Sequence, residues 1–142
     1  MPGVYLDTSL FVALLYTDDN QHDRAIELVK RLIKGDFGKP LHTSSAVVIE
    51  TTAIIQRNSR GPVRGEMLRR ILTFINGYRI DLNFLVKDWI EQATRLYEER
   101  TGSLDFVDTL NVTFLRKSNV NQIVSFDGDY DQFSGEGIIR IC

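Results

Sequence analysis

Short apolar runs of strand length alternate along this chain with longer segments whose apolar residues recur at helical spacing. No other feature constrains the fold as much. Residues 4–6, 41–43, 78–82, 122–126 and 138–141 read as strands. Helices are predicted over 10–15, 21–34, 46–58, 63–75, 85–100 and 106–117, with Ser44 and Ser45 as caps of the third. Breaks fall at Gly35, Gly38 and Pro40, at Ser59 to Pro62, and at Thr101-Gly102. The expected inward faces are Ala25, Leu28, Val29 and Leu32, then Met67, Leu68, Ile71, Leu72 and Ile75, and later Val86, Ile90, Ala93, Leu96 and Tyr97. Strands that alternate with helices predict an α/β domain with a mainly parallel sheet. At 142 residues the chain suits one domain, over 1–142, with a substantial core.

Several function classes drop out early. No apolar run approaches the roughly 20 residues that span a bilayer, and no signal-peptide pattern opens the chain. The one cysteine, Cys142, permits neither an internal disulfide nor a thiolate metal cluster, so a reducing, cytoplasmic setting and no membrane are expected. Net charge is only −2, yet Arg57, Arg60, Arg64, Arg69 and Arg70 crowd one stretch with Glu66 as their single opponent. Such a patch suits phosphate binding as well as it suits a solvated helix face.

Four carboxylates stand where the pattern leads one to expect something else. Asp7 follows the apolar run Val4-Tyr5-Leu6, at the carboxyl end of a strand, where open α/β sheets place ligands. Asp7, Thr8 or Ser9 also suits the cap of the next helix. Glu50 has Ala46, Val47, Ala53 and Ile54 as its helical neighbours. A glutamate on such a stripe faces a charge partner, reaches to the helix edge, or becomes neutral. Asp105 and Asp108 resemble a capping box, but Asp108 also lies beside the stripe of Val112 and Leu115. Asp127 ends the strand of Ile123 to Phe126, either as a mirror of Asp7 or as a plain Asp-Gly turn.

Carboxylates sharing one small, partly dry pocket would repel one another by several kcal/mol, by order of magnitude. A hard cation with oxygen ligands removes that cost, and Mg²⁺ or Mn²⁺ fits. Rival chemistries are missing. Asp127, Asp129 and Asp131 do not make a calcium loop, because its glycine position holds Gln132 and its glutamate position Ile138. His22 and His42 have no cysteine or nucleophile partner, and Gly61 to Gly65 has neither the preceding strand nor the Lys-Ser pair of a phosphate loop. A dehalogenase-type phosphatase would need aspartate where Ser9 stands.

These residues together resemble a PIN domain, and within that family the VapC-type toxins. The resemblance rests on Val-Tyr-Leu-Asp7-Thr-Ser, Val-Val-Ile-Glu50, Asp108-Thr-Leu after Ser-Leu-Asp-Phe-Val, and Ser-Phe-Asp127-Gly-Asp-Tyr, in that order. Each motif is short; the set covers essentially the whole chain. The resemblance implies a three-layer α/β/α sandwich with about five strands ordered 3-2-1-4-5, which makes strands 1 and 4 neighbours and joins Asp7 to Asp127. Glu50 and Asp108 would approach from flanking helices. It further implies Mg²⁺- or Mn²⁺-dependent endonucleolytic cleavage of RNA. Asp7 and Asp108 would be the direct ligands, with Glu50 and Asp127 acting through waters or a second ion. Asp105 and Asp129 depart from the pattern as acidic neighbours able to share the roles of Asp108 and Asp127. Thr8 or Ser9 would bond a ligand carboxylate or the attacking water, and the arginines from Arg57 to Arg70 would hold RNA backbone. Tyr5, Tyr16, Phe11 and Phe106 are expected in the core. A VapC-type protein would be a homodimer inhibited by a small VapB-like antitoxin. A PIN-fold RNA-processing nuclease without antitoxin, or a non-catalytic PIN-fold module that binds RNA or protein, is the alternative.

Overall fold

Val4–Leu6 forms β1, and all three side chains are buried on both faces of a sheet, which explains why the run is apolar without alternation. The computed structural model describes residues 3–142; Met1 and Pro2 of the expected domain lie outside the described residues. After β1 come α1 (Thr8–Leu15), α2 (His22–Lys34), β2 (Leu41–Ser44), α3 (Ser45–Asn58) and α4 (Pro62–Gly77). Then follow β3 (Asp81–Asn83), α5 (Lys87–Glu99), α6 (Phe106–Ser118), β4 (Gln122–Val124), a 3-10 helix (Gly128–Glu136) and β5 (Ile139–Ile141). The five strands pair in parallel in the order β3-β2-β1-β4-β5.

Right-handed crossovers cover both faces of such a sheet. α1 packs on α2 and α3, α3 on α4, and α5 on α6, completing the α/β/α sandwich. Local chemistry sets the ends of these elements. The Ser44 hydroxyl accepts from the Val47 N–H at 3.3 Å and starts α3, while Gly35 in the left-handed region (φ 85°) stops α2.

The structure corrects four details. The third strand begins at Asp81 and not at Tyr78, because α4 runs on to Gly77. Arg79 then turns with φ 52°, and the Ile80 N–H returns to the Ile75 carbonyl at 2.9 Å. The inward face of α5 is Trp89, Ala93 and Leu96, whereas Val86, Ile90 and Tyr97 are exposed by 56%, 40% and 42%. Trp89 wins that competition because it is the largest apolar side chain on the helix. Its indole N–H donates to the Leu110 carbonyl at 2.8 Å and its ring lies 5.6 Å from that of Phe114. On α4, Leu72 is exposed and Phe74 packs edge-on against Phe11 at 5.9 Å. Phe106 is also exposed, edge-on to Tyr97 at 5.7 Å, whereas Tyr5 and Phe11 are fully buried and Tyr16 partly so.

Truncating Trp89 to Ala should therefore cost about 3–5 kcal/mol, more than any change on the outer face of α5. Leu72→Ala should stay within about 0.5 kcal/mol of the parent chain. Urea denaturation followed by circular dichroism measures both.

Candidate active site

β1 and β4 pair with Leu6 opposite Val124, so the next residue of each strand, Asp7 and Ser125, comes out side by side at the carboxyl edge of the sheet. The Asp7 N–H closes the ladder on the Val124 carbonyl at 3.1 Å. Asp7 occupies the cap position of α1, but its side chain makes no cap hydrogen bond. One carboxylate oxygen instead accepts from the Ser125 hydroxyl at 2.7 Å and the other from the Asn111 amide at 3.0 Å. With 4% exposure, burial pushes this carboxyl from its ordinary 3.8 up to about 7, an effect that the Ser125 bond only partly offsets. Ser125 also accepts from the Asp127 N–H at 3.0 Å. Ser9 lies 3.2 Å from Ser125 and accepts from the Phe126 N–H at 2.9 Å. Two serines thus latch the start of α1 to the end of β4.

Asp108, 7% exposed on the first turn of α6, accepts from the Tyr130 hydroxyl at 2.9 Å with one oxygen and from the Asp105 N–H at 3.2 Å with the other. It caps its helix and faces the cleft at once. Burial raises its pKa to about 6, with the charge of Asp127 adding to the effect. Glu50 reaches in from α3, half-buried. Burial raises its pKa and the Thr8 hydroxyl works against the rise; Asp105 and Asp127 add to it, and Arg57 opposes it. Asp127 accepts from the Asp129 N–H at 2.9 Å, and that bond opens the 3-10 helix.

Asp7, Glu50, Asp105, Asp108 and Asp127 line one cleft of about 510 Å³, together with Thr8 and Ser9. Asp108, Asp127 and Asp129 also offer oxygens that all lie within 4.8 Å of one another. Among the described residues none of these carboxylates is in an ion pair. The Thr8 hydroxyl, buried on the cleft wall, faces Glu50 and lowers its pKa, but the contact falls short of regular hydrogen-bond geometry. An all-oxygen donor set and a surplus of negative charge that Arg57 offsets only in part fit a hard divalent cation with its waters.

The five arginines do not gather there. Arg57 lines the cleft. Arg64 folds back onto the Ser59 and Gln56 carbonyls at 2.8 and 2.9 Å. Arg69 and Arg70 line a separate groove beside Phe74 and Tyr78, Arg70 lies 3.5 Å from Glu66, and Arg60 is exposed. A larger cavity, about 770 Å³, opens at the amino edge of the sheet near Gly3 and His42. Its charged residues, Arg116 and Glu136, are joined in a bidentate pair. Sequence reasoning missed Asn111, Ser125 and Tyr130. For Asn111 a signal existed, since a polar residue on the buried side of a helix invites the same question as Glu50.

A family model for the PIN domain matches residues 4–136. No curated protein matches the sequence. Among solved structures, the chain is similar to VapC20 of Mycobacterium tuberculosis, described as a Sarcin-Ricin loop cleaving toxin, with a TM-score of 0.76, 23% identity and 98% of each chain covered. It is similar to VapBC2 from Rickettsia felis, bound to a DNA fragment from their promoter, with TM-score 0.68, 15% identity and coverage of 97% and 96%. It also resembles a toxin-antitoxin complex from Klebsiella pneumoniae, with TM-score 0.64, 11% identity and coverage of 99% and 97%. At these identities the likeness establishes the fold.

Asp7 and Asp108 hold their protons to higher pH in the folded chain than in the unfolded one. The metal-free fold therefore loses stability as pH rises from about 4 through 7, by a few kcal/mol in order of magnitude. Metal-free protein should melt several degrees higher at pH 5.5 than at pH 8. Asp7→Asn should shrink that difference and melt above the parent chain at pH 8, as calorimetry in EDTA would read.

Proposed function

The chain belongs to the PIN domain family, and from that premise we propose that it is a metal-dependent endoribonuclease that hydrolyses phosphodiester bonds in RNA. The observation that carries this reading is the convergence of Asp7, Glu50, Asp108 and Asp127 on one cleft where, among the described residues, none of them is in an ion pair. A binding surface has no use for such repulsion, whereas a cation site depends on it.

In this reading Asp7 and Asp108 hold Mg²⁺ or Mn²⁺ directly, and Glu50 and Asp127 complete the site through waters or a second ion. Asp129 and Asp105 stand ready to share those roles. The bound cation supplies a water of lowered pKa and offsets the charge that develops on the phosphate. The Thr8 hydroxyl donates to a ligand carboxylate or to the attacking water, and Ser9 holds the strand end that carries Ser125 and Asp127. Arg57, on the cleft wall two turns beyond Glu50 on α3, takes the RNA backbone, and Arg60, Arg69 and Arg70 extend that contact away from the cleft.

The relatives' names support a toxin reading, in which a small VapB-like antitoxin is the second partner. Exposed Ile49, Phe84, Val86 and Ile90 support a homodimer. The Leu85 N–H bonds the Ser45 hydroxyl at 3.1 Å, which brings Phe84 and Val86 beside the first turn of α3. No helix among the described residues is long and apolar enough to cross a membrane, and the free Cys142 suits a reducing cytoplasm.

Labelled RNA incubated with the protein should be cut in Mg²⁺ or Mn²⁺ and left whole in EDTA. Folded Asp7→Asn should fall to the EDTA level. Intact RNA after incubation with folded, metal-loaded parent protein would overturn the enzyme reading. In RNA-binding titrations, Arg57→Gln should weaken affinity severalfold and flatten the slope of log K against log salt by about 0.7.

A further inference from the structure

We propose that Asn111 is a positioning residue, whose side-chain amide, oriented by Tyr5 and extended by Tyr130, locks Asp7 and Asp108 into one frame that a divalent cation recognises. The proposal rests on the metal-dependent reading above and adds to it three uncharged residues that touch neither substrate nor ion.

Asn111 sits in the middle of α6, one turn beyond Asp108, and is fully buried. An amide in that place is costly unless its hydrogen bonds are made. Here its carbonyl oxygen accepts from the Tyr5 hydroxyl at 2.6 Å. Its nitrogen donates to Asp7 at 3.0 Å and to the Tyr130 hydroxyl at 2.8 Å. Tyr130 in turn donates to Asp108 at 2.9 Å. Donor directions fix the arrangement. The Tyr130 hydroxyl spends its single proton on Asp108, so it must accept from Asn111, and Asp7, which takes the Ser125 proton on its other oxygen, accepts on this one. The amide nitrogen therefore faces both, and the Tyr5 proton on the carbonyl oxygen prevents the amide from turning over. Tyr5 itself is held 2.8 Å from the Ser44 hydroxyl at the start of α3.

Chemistry explains why the clamp is neutral. An arginine or lysine in place of Asn111 would hold the carboxylates more strongly, but it would cancel the charge that attracts a cation. An aspartate would add a further repelling charge. An amide orients both anions and leaves each with oxygen lone pairs facing the cleft.

Mn²⁺ binding to the purified full chain, read by electron paramagnetic resonance, tests the proposal without requiring turnover. Tyr130→Phe deletes one hydroxyl, and Asn111→Leu keeps similar volume without donors. Each should raise the Mn²⁺ dissociation constant by about tenfold or more, and raised Mn²⁺ should restore RNA cleavage by Tyr130→Phe. A melt in EDTA establishes that each variant is folded, and Tyr130→Phe alone decides if Asn111→Leu does not fold. Dissociation constants within about twofold of the parent chain in the folded variants, while Asp7→Asn loses binding, would overturn the clamp and leave the nuclease reading standing. A parent chain that binds no Mn²⁺ would overturn both.

Discussion

Everything at the cleft depends on the register between β1 and β4. Leu6 opposite Val124 sets Asp7 beside Ser125, and a slip of one residue would turn the Asp7 side chain toward the other face of the sheet. The register is secured from both sides. Val4, Tyr5 and Leu6 are wholly buried against Ile123 and Val124, and the Ser9–Ser125 latch bonds the two strand ends beyond the last ladder pair. Hydrophobic burial thus fixes the positions of charges that burial itself disfavours.

That opposition is resolved with neutral donors. Asp7 and Asp108 are desolvated enough to hold protons near neutral pH, yet they are met by a serine, an asparagine, a tyrosine and one backbone N–H, with no cationic side chain in hydrogen-bond contact. Hydrogen bonds of this kind recover part of the desolvation cost and leave the net charge intact. The core supplies the remaining stability, in particular Trp89 of α5 against Phe114 of α6 and Phe11 of α1 against Phe74 of α4. The cleft is accordingly where burial and charge are set against each other, as expected where local rules yield to function.

Much of this was legible in the residues. Three apolar side chains ahead of Asp7 marked a buried strand end, Glu50 broke an apolar stripe, and strand–helix alternation determined the class of sheet. What stayed hidden has specific causes. On α5 two overlapping stripes share Ala93 and Leu96, and the contacts of Trp89 with Leu110 and Phe114, which cross to another helix, select between them. The arginines from Arg57 to Arg70 are close in sequence but straddle the break between α3 and α4, so helix direction scatters them and Arg64 turns back onto backbone carbonyls. Asn111, Ser125 and Tyr130 acquire their roles from partners far off in the chain. No local window contains an asparagine together with the aspartate it holds 104 residues away.

Those separations also determine when the site comes into being. Asp7 meets Ser125 across 118 residues, and the frame closes only with Tyr130. Chains emerge amino end first, and non-local contacts are the last to be rewarded during folding. On a ribosome, Asp7 is therefore exposed early as a lone surface carboxylate. The cleft takes its shape once residue 130 has cleared the exit tunnel and β4 has slotted in beside β1. A growing chain carries all of its early charges and none of their joint chemistry.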